Sequence, residues 1–262
     1  MERLLRATAA AEARHFWFRG LRAFVTPLLR RAARERAAAG GRAAREDARL
    51  LDCGSGTGAN LSLLNRFGRA YGIDLSDLGL RYSHAAGHRR VARASVAAAP
   101  FAGAAFDVVT SFDVLYSLDD RAERAAIAEM YRVLRPGGHA IVNVAAMDAL
   151  RGDHSVLSHE VRRYSRRMLR ERLVHAGFVV VRITYTNAAL FLPLVVARSI
   201  QRWRGLREEQ AAEREITVPS APVNAALTGL LWLESVWLRW FDLPAGSSLL
   251  CLARKPLDGP SA

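Results

Sequence analysis

An acid and three glycines alternate in Leu51-Asp-Cys-Gly-Ser-Gly-Thr-Gly58, so that Asp52, Gly54, Gly56 and Gly58 occupy every second position behind an apolar run. Glycine opens left-handed backbone angles and lets another molecule approach the main chain. The free amides of a helix that follows add a positive end. An ordinary tight turn would use the same residues, so context has to decide. The next apolar run, Arg69-Ala-Tyr-Gly-Ile-Asp74, closes on an acid. A carboxylate at that spacing can accept both hydroxyls of a ribose. A dinucleotide would need G-x-G-x-x-G and room for a pyrophosphate, which Asp52 would repel. The same acid suits a nucleoside ligand whose other end carries an ammonium group.

These residues need strand ends to hold them. Short apolar runs predict strands at 49–53, 70–74, 90–94, 105–111, 138–145, 178–185 and 248–254. Helical patterns lie between them at 57–67, 76–86, 121–134 and 165–176. This alternation predicts a parallel sheet covered on both faces. Ligands of such sheets bind beyond the carboxyl ends of the strands, where strand order reverses. Residues 1–48 read as a helical cap, interrupted at Pro27 and punctuated at its end by Gly40-Gly41. The core then spans 49–186, a helical apolar insertion 187–246, and the final strand and tail 247–262.

With its leading acid, the glycine loop fits S-adenosylmethionine and resembles the class I methyltransferase fingerprint. The resemblance continues through Pro100-Phe101, Ala105-Phe-Asp-Val-Val109, Ser111-Phe-Asp-Val-Leu115 and Arg132-Val-Leu-Arg-Pro-Gly-Gly138. The chain also resembles small-molecule methyltransferases of type 11, through His154–Tyr164 and Leu243–Pro256. It implies a Rossmann-like, doubly wound α/β sheet of seven strands, mostly parallel with an antiparallel last strand. It further implies S-adenosyl-L-methionine held by Asp52, Gly54, Ser55, Gly56, Gly58, Asp74 and Leu75, with Ser95 and Val96 at the adenine. In this subgroup an N-terminal helix caps the cofactor cleft. That brings in His15-Phe-Trp-Phe-Arg19, with Arg19 able to meet the methionine carboxylate. Two departures weaken the match: Ser95 stands where many relatives carry Asp, and Tyr116-Ser117 where they carry Glu-His.

Methyl transfer is an in-line displacement that needs alignment in a dry pocket, plus a base when the acceptor is a hydroxyl. His154 and His159 are the candidate bases, and Tyr116, Arg163 and Tyr164 the candidate acceptor contacts. The expected acceptor is a small molecule, methylated at oxygen. A membrane-associated enzyme of lipid-linked or envelope glycans and a non-catalytic binding protein are the alternatives.

The formal charge is +13, and arginine supplies all but Lys255 of the 38 basic residues. Without a nucleic-acid-binding module this charge does not point to nucleic acid. Cys53 and Cys251 sit in apolar runs as expected free thiols, and no Cys/His spacing suggests a metal. No secretion signal is legible, so the expected location is the cytoplasm, or the inner face of the membrane. Segments 188–204 and 225–241 are strongly apolar and hold four of the five tryptophans. They must bury against their own domain, a second subunit or a membrane surface.

Overall fold

The computed structural model describes residues 2–46, 48–150, 159–203 and 217–257. Seven strands form one sheet: β1 (Arg49–Cys53), β2 (Arg69–Asp74), β3 (Val91–Arg93), β4 (Phe106–Phe112), β5 (Leu134–Ala145), β6 (Val179–Thr186) and β7 (Ser248–Arg254). Their spatial order is β3-β2-β1-β4-β5-β7-β6. β7 runs antiparallel to both its neighbours, and the β1 to β5 pairings are parallel. Order reverses between β1 and β4, which opens a crevice at their carboxyl ends.

Both faces of the sheet are covered, so its strands are apolar on both sides. Successive β1 residues face opposite ways: Leu51 packs in one layer with Val109, Ile127 and Leu169, and Leu50 in the other with Val108, Ile141 and Leu252. The first layer lies under α5 (Asp120–Val133) and α6 (Arg166–His175). The second lies under α2 (Phe16–Glu46) and α3 (Ala59–Leu64). Two further helices flank the crevice: α1 (Glu2–Ala11) and α4 (Asp77–Ala85), which touch each other.

α2 departs from the sequence expectation twice. It runs unbroken through Pro27 and continues past Gly40-Gly41 to Glu46. An internal proline costs about 3 kcal/mol, but Phe24, Val25, Leu28, Leu29 and Ala32 bury one stripe of this helix on the sheet. Each large apolar side chain contributes about 1.5–3 kcal/mol when buried, so tertiary packing outweighs the local penalty. Beside the proline, the Thr26 hydroxyl donates to the Arg22 carbonyl at 2.6 Å.

A polar knot fastens the chain after β5. Glu123, fully buried on α5, accepts from the Tyr164 hydroxyl at 2.6 Å and from Arg162 at 3.1 Å. Tyr116 holds the same segment through its carbonyl, which accepts from the Val161 amide at 2.9 Å. Replacing one partner of a buried charged pair strands the other. Glu123→Ala should therefore lower unfolding free energy by about 3 kcal/mol in denaturant melts.

The apolar insertion forms α7 (Phe191–Trp203) and α8 (Ala221–Trp237). α8 packs across α2, where Gly20 leaves room for the Leu231 side chain. Among the described residues, no helix is long and apolar enough to cross a membrane.

Candidate functional site

The turn after β1 is built from left-handed backbone, with φ of 83° at Gly54, 49° at Gly56 and 84° at Gly58. Two of these glycines are also needed for space: a side chain at Gly54 would strike Val114, and one at Gly58 would meet Ser83. Gly56 is different. A Cβ there would find only Leu5 of α1, at an ordinary 3.4 Å. Its bare main chain faces room rather than packing, so its conformation and its open side are what call for glycine.

Hydrogen bonds fix this turn against β2. The amides of Gly54 and Ser55 both donate to the Ile73 carbonyl, at 2.8 and 3.0 Å. Asp74 accepts from the Gly56 amide through Oδ2 and from the Ser76 amide through Oδ1, each at 2.8 Å. From the other side, the Thr57 hydroxyl donates to Glu12 at 2.6 Å. Glu12 lies in the α1–α2 turn, and burial raises its pKa.

Asp52, at the end of β1, is buried and accepts from the Thr110 hydroxyl at 2.7 Å. Burial lifts its pKa from 3.8 to about 7, the Thr110 bond opposes that rise, and the nearby Asp74 adds to it. Its second oxygen has no protein partner among the described residues, nor do Ser55 Oγ, Ser111 Oγ and Asn143 Oδ1. Buried polar atoms left without partners at strand ends are uncommon and mark places where a ligand or water completes the bonding. Glu12, Asp52 and Asp74 together favour a ligand with a cationic end and disfavour a pyrophosphate. These residues fit S-adenosylmethionine.

The opposite wall is Asp113, just past β4, at φ 59°. Positive φ is uncommon for a residue with a side chain and clusters at functional sites. Asn143 Nδ2 donates to it at 2.9 Å. Burial raises its pKa to about 7, the Asn143 bond opposes this, Glu160 adds to it and Arg163 subtracts. Val114, its neighbour, packs on Gly54, so Asp113 stands beside the glycine turn.

The remaining sequence candidates fall in several places. Leu75 is 61% exposed beside Asp74. Ser95 caps its own turn by accepting from the Ala97 amide at 3.2 Å, and Val96 is buried in the core. Arg19 lies on the exposed face of α2, whereas Arg22 reaches the Glu12 carbonyl at 2.9 Å. The His15 ring is buried and stacks on Phe16 at 4.5 Å, so the aromatic run packs α2.

His154 lies outside the described residues; His159 is exposed at φ 51°. Tyr116 is buried in the core beneath the crevice. Two of the acceptor candidates are engaged within the protein. Arg163 is buried and paired with Glu160 through two bonds, at 2.8 and 2.9 Å, so its charge is already met. Tyr164 is fully buried and its hydroxyl is given to Glu123, which pushes its pKa further up. A cavity of about 320 Å³ at the other end of the sheet, lined by Phe67, Arg135 and His139 among others, lies away from these groups.

Residues 51–142 match a family model described as a methyltransferase domain. Over 113 residues the chain is 34% identical to malonyl-(acyl-carrier protein) O-methyltransferase of Enterobacter lignolyticus (strain SCF1). That match covers 41% of this chain and 43% of the curated relative. Among solved structures, the (4+2)-cyclase SpnF is similar with a TM-score of 0.55 and 21% identity, covering 89% of this chain and 81% of its own. Phosphoethanolamine N-methyltransferase 2 of Haemonchus contortus, in complex with S-adenosyl-L-methionine, is similar with a TM-score of 0.51 and 19% identity, covering 87% and 52%. At such identities the structural likeness concerns the fold.

Asp52 makes the cofactor-free site costly. Between 3.8 and about 7 the unfolded chain has released a proton that folded Asp52 keeps, so stability falls as pH climbs through that window. Asp52→Asn removes this loss. Its denaturant midpoint should gain on the wild type progressively from about pH 4 to pH 7 and hold a constant lead above.

Proposed function

We propose that this protein, whose core is that of a class I S-adenosylmethionine-dependent methyltransferase, moves a methyl group from that cofactor to a hydroxyl of a small-molecule acceptor. The observation that carries the reading is the open, left-handed Gly56 turn ringed by Asp52, Asp74 and Glu12. When bound, the cofactor supplies a methyl group activated by a sulfonium. The chain's part is to hold and align. Asp74 would grip the ribose, Asp52 and Glu12 would meet the ammonium, and α1 would close over the turn through Leu5.

Oxygen as the acceptor atom is supported by Asp113. A carboxyl poised at about 7 is matched to removing a hydroxyl proton near neutral pH. Asn143 holds one of its oxygens, leaving the other for the acceptor. The partial match to an O-methyltransferase agrees with this choice. A binding protein without turnover is the competing reading, favoured by Tyr116-Ser117 standing where relatives carry Glu-His. Release of S-adenosylhomocysteine from labelled cofactor in cell extract would exclude it.

Two variants test the roles separately. Valine cannot adopt the Gly56 backbone without strain, so Gly56→Val should weaken cofactor binding by about 100-fold or more in titration calorimetry. Its circular dichroism should stay that of the wild type. Asp113→Asn should keep cofactor affinity and reduce kcat by about 10²–10⁴-fold. Wild-type rate should rise with pH through about 7 as Asp113 ionises, and the variant's profile should lose that limb.

A further inference from the structure

The helix α8 is inside out. Its buried positions are Asn224, Leu231, Glu234 and Ser235, three of them polar. Its outward stripe is Val223, Leu230, Leu233 and Trp237, continued by Trp240 and Phe241, with Trp232 beside it. The buried polar groups are bonded to main chain. Asn224 accepts from the Phe16 amide and donates to the Arg14 carbonyl, both at 2.9 Å, which ties α8 to the start of α2. Glu234 accepts from the Ala188 and Ala189 amides at 3.2 and 2.9 Å, which ties it to the start of α7.

α7 repeats the pattern, with Leu192, Val196, Ile200 and Trp203 forming an outward stripe at helical spacing. Trp203 is 90% exposed. Apolar patches on this scale mark surfaces meant to meet something.

Charge identifies what that is. Across 188–203 and 221–241 the charged residues are Arg198, Arg202, Arg239 and Glu234. Glu234 is buried, Arg239 is exposed beside Trp240, and Asp242, just past the patch, is neutralised by its pairing with Arg182 at 2.7 Å. Tryptophan and arginine at the edge of an apolar stripe suit the headgroup boundary of a bilayer. A second copy fits less well. Two-fold pairing would bring together two patches that each carry Arg239, on a chain whose net charge is +13.

We infer that the outer face of α7 and α8, with Trp240 and Phe241, docks on an anionic bilayer surface without crossing it. The face is coupled to the crevice: Asn224 grips Arg14 and Phe16, and Glu12, just upstream, bonds Thr57 of the glycine turn. On the methyltransferase reading proposed above, docking would bring the crevice to the lipid surface and its acceptor would be an amphiphile resident there.

Flotation of the full chain with vesicles tests the docking without cofactor or acceptor. Wild type should float with mixed phosphatidylcholine and phosphatidylglycerol vesicles, and less with phosphatidylcholine alone. Leu233→Glu combined with Trp237→Glu alters exposed positions only and should cut the floated fraction by about tenfold or more. Its circular dichroism and its titration with S-adenosylmethionine should match the wild type's.

Wild type that stays with the lipid-free fraction overturns the proposal, as does a double variant that floats equally well. A dimer in sedimentation velocity that the double variant dissociates, without flotation, assigns the face to a second copy and also overturns it. Flotation by a chain that does not bind S-adenosylmethionine would keep the docking and remove only the methyltransferase reading.

Discussion

One carboxylate sets the geometry of the crevice. Asp74 ends β2 and takes the Gly56 amide and the Ser76 amide on its two oxygens, so the glycine turn, the end of β2 and the start of α4 share one anchor. Parallel pairing of Asp52 with Gly72 and of Cys53 with Ile73 brings the two strand ends level enough for this. The left-handed glycines then follow: only such backbone can leave β1, offer its amides to Ile73 and Asp74, and turn into α3 within a few residues. A carboxylate oxygen has more than one lone pair, so gripping the turn does not prevent Asp74 from meeting a sugar hydroxyl.

The same crevice concentrates destabilising features. Asp52 and Asp113 are both held near pH 7 by burial, Asp113 sits in a strained backbone region, and several buried polar atoms lack protein partners. Folding tolerates this because the sheet beneath is covered on both faces and because Glu123 fastens the chain behind β5. A cationic ligand near Asp52 would reverse part of the cost by favouring its ionised form. Stability is thus lower in the place where binding can restore it.

The sheet was legible because local signals and packing agree there. β1 and β7 lie where their apolar runs do, and the glycine turn announced itself by spacing. At Pro27 and Gly40-Gly41 the local sequence signals breaks, but α2 draws its stability from a buried stripe, which local breakers do not reveal. Arg163 and Tyr164 follow the strand after which this fold places acceptor loops, and their internal pairing is not legible along the chain: Glu123 is far from Tyr164 in sequence, and nothing local marks Glu160 as buried. Glu12 carried no signal, being one acid in an Arg- and Ala-rich segment. Asp113 and Asn143 did carry a weak one, as polar residues at the ends of apolar strands. In α8 the sequence shows an apolar helix, and only the contacts of Asn224 and Glu234 reveal which side faces out.

The most direct test is a crystal of the chain grown with S-adenosylhomocysteine. The ribose hydroxyls should lie within hydrogen-bond reach of Asp74, with the amino-acid end beside Gly56 and Asp52. A nucleoside bound elsewhere, with Asp74 still bonded only to the Gly56 and Ser76 amides and no density along the turn, would contradict the account.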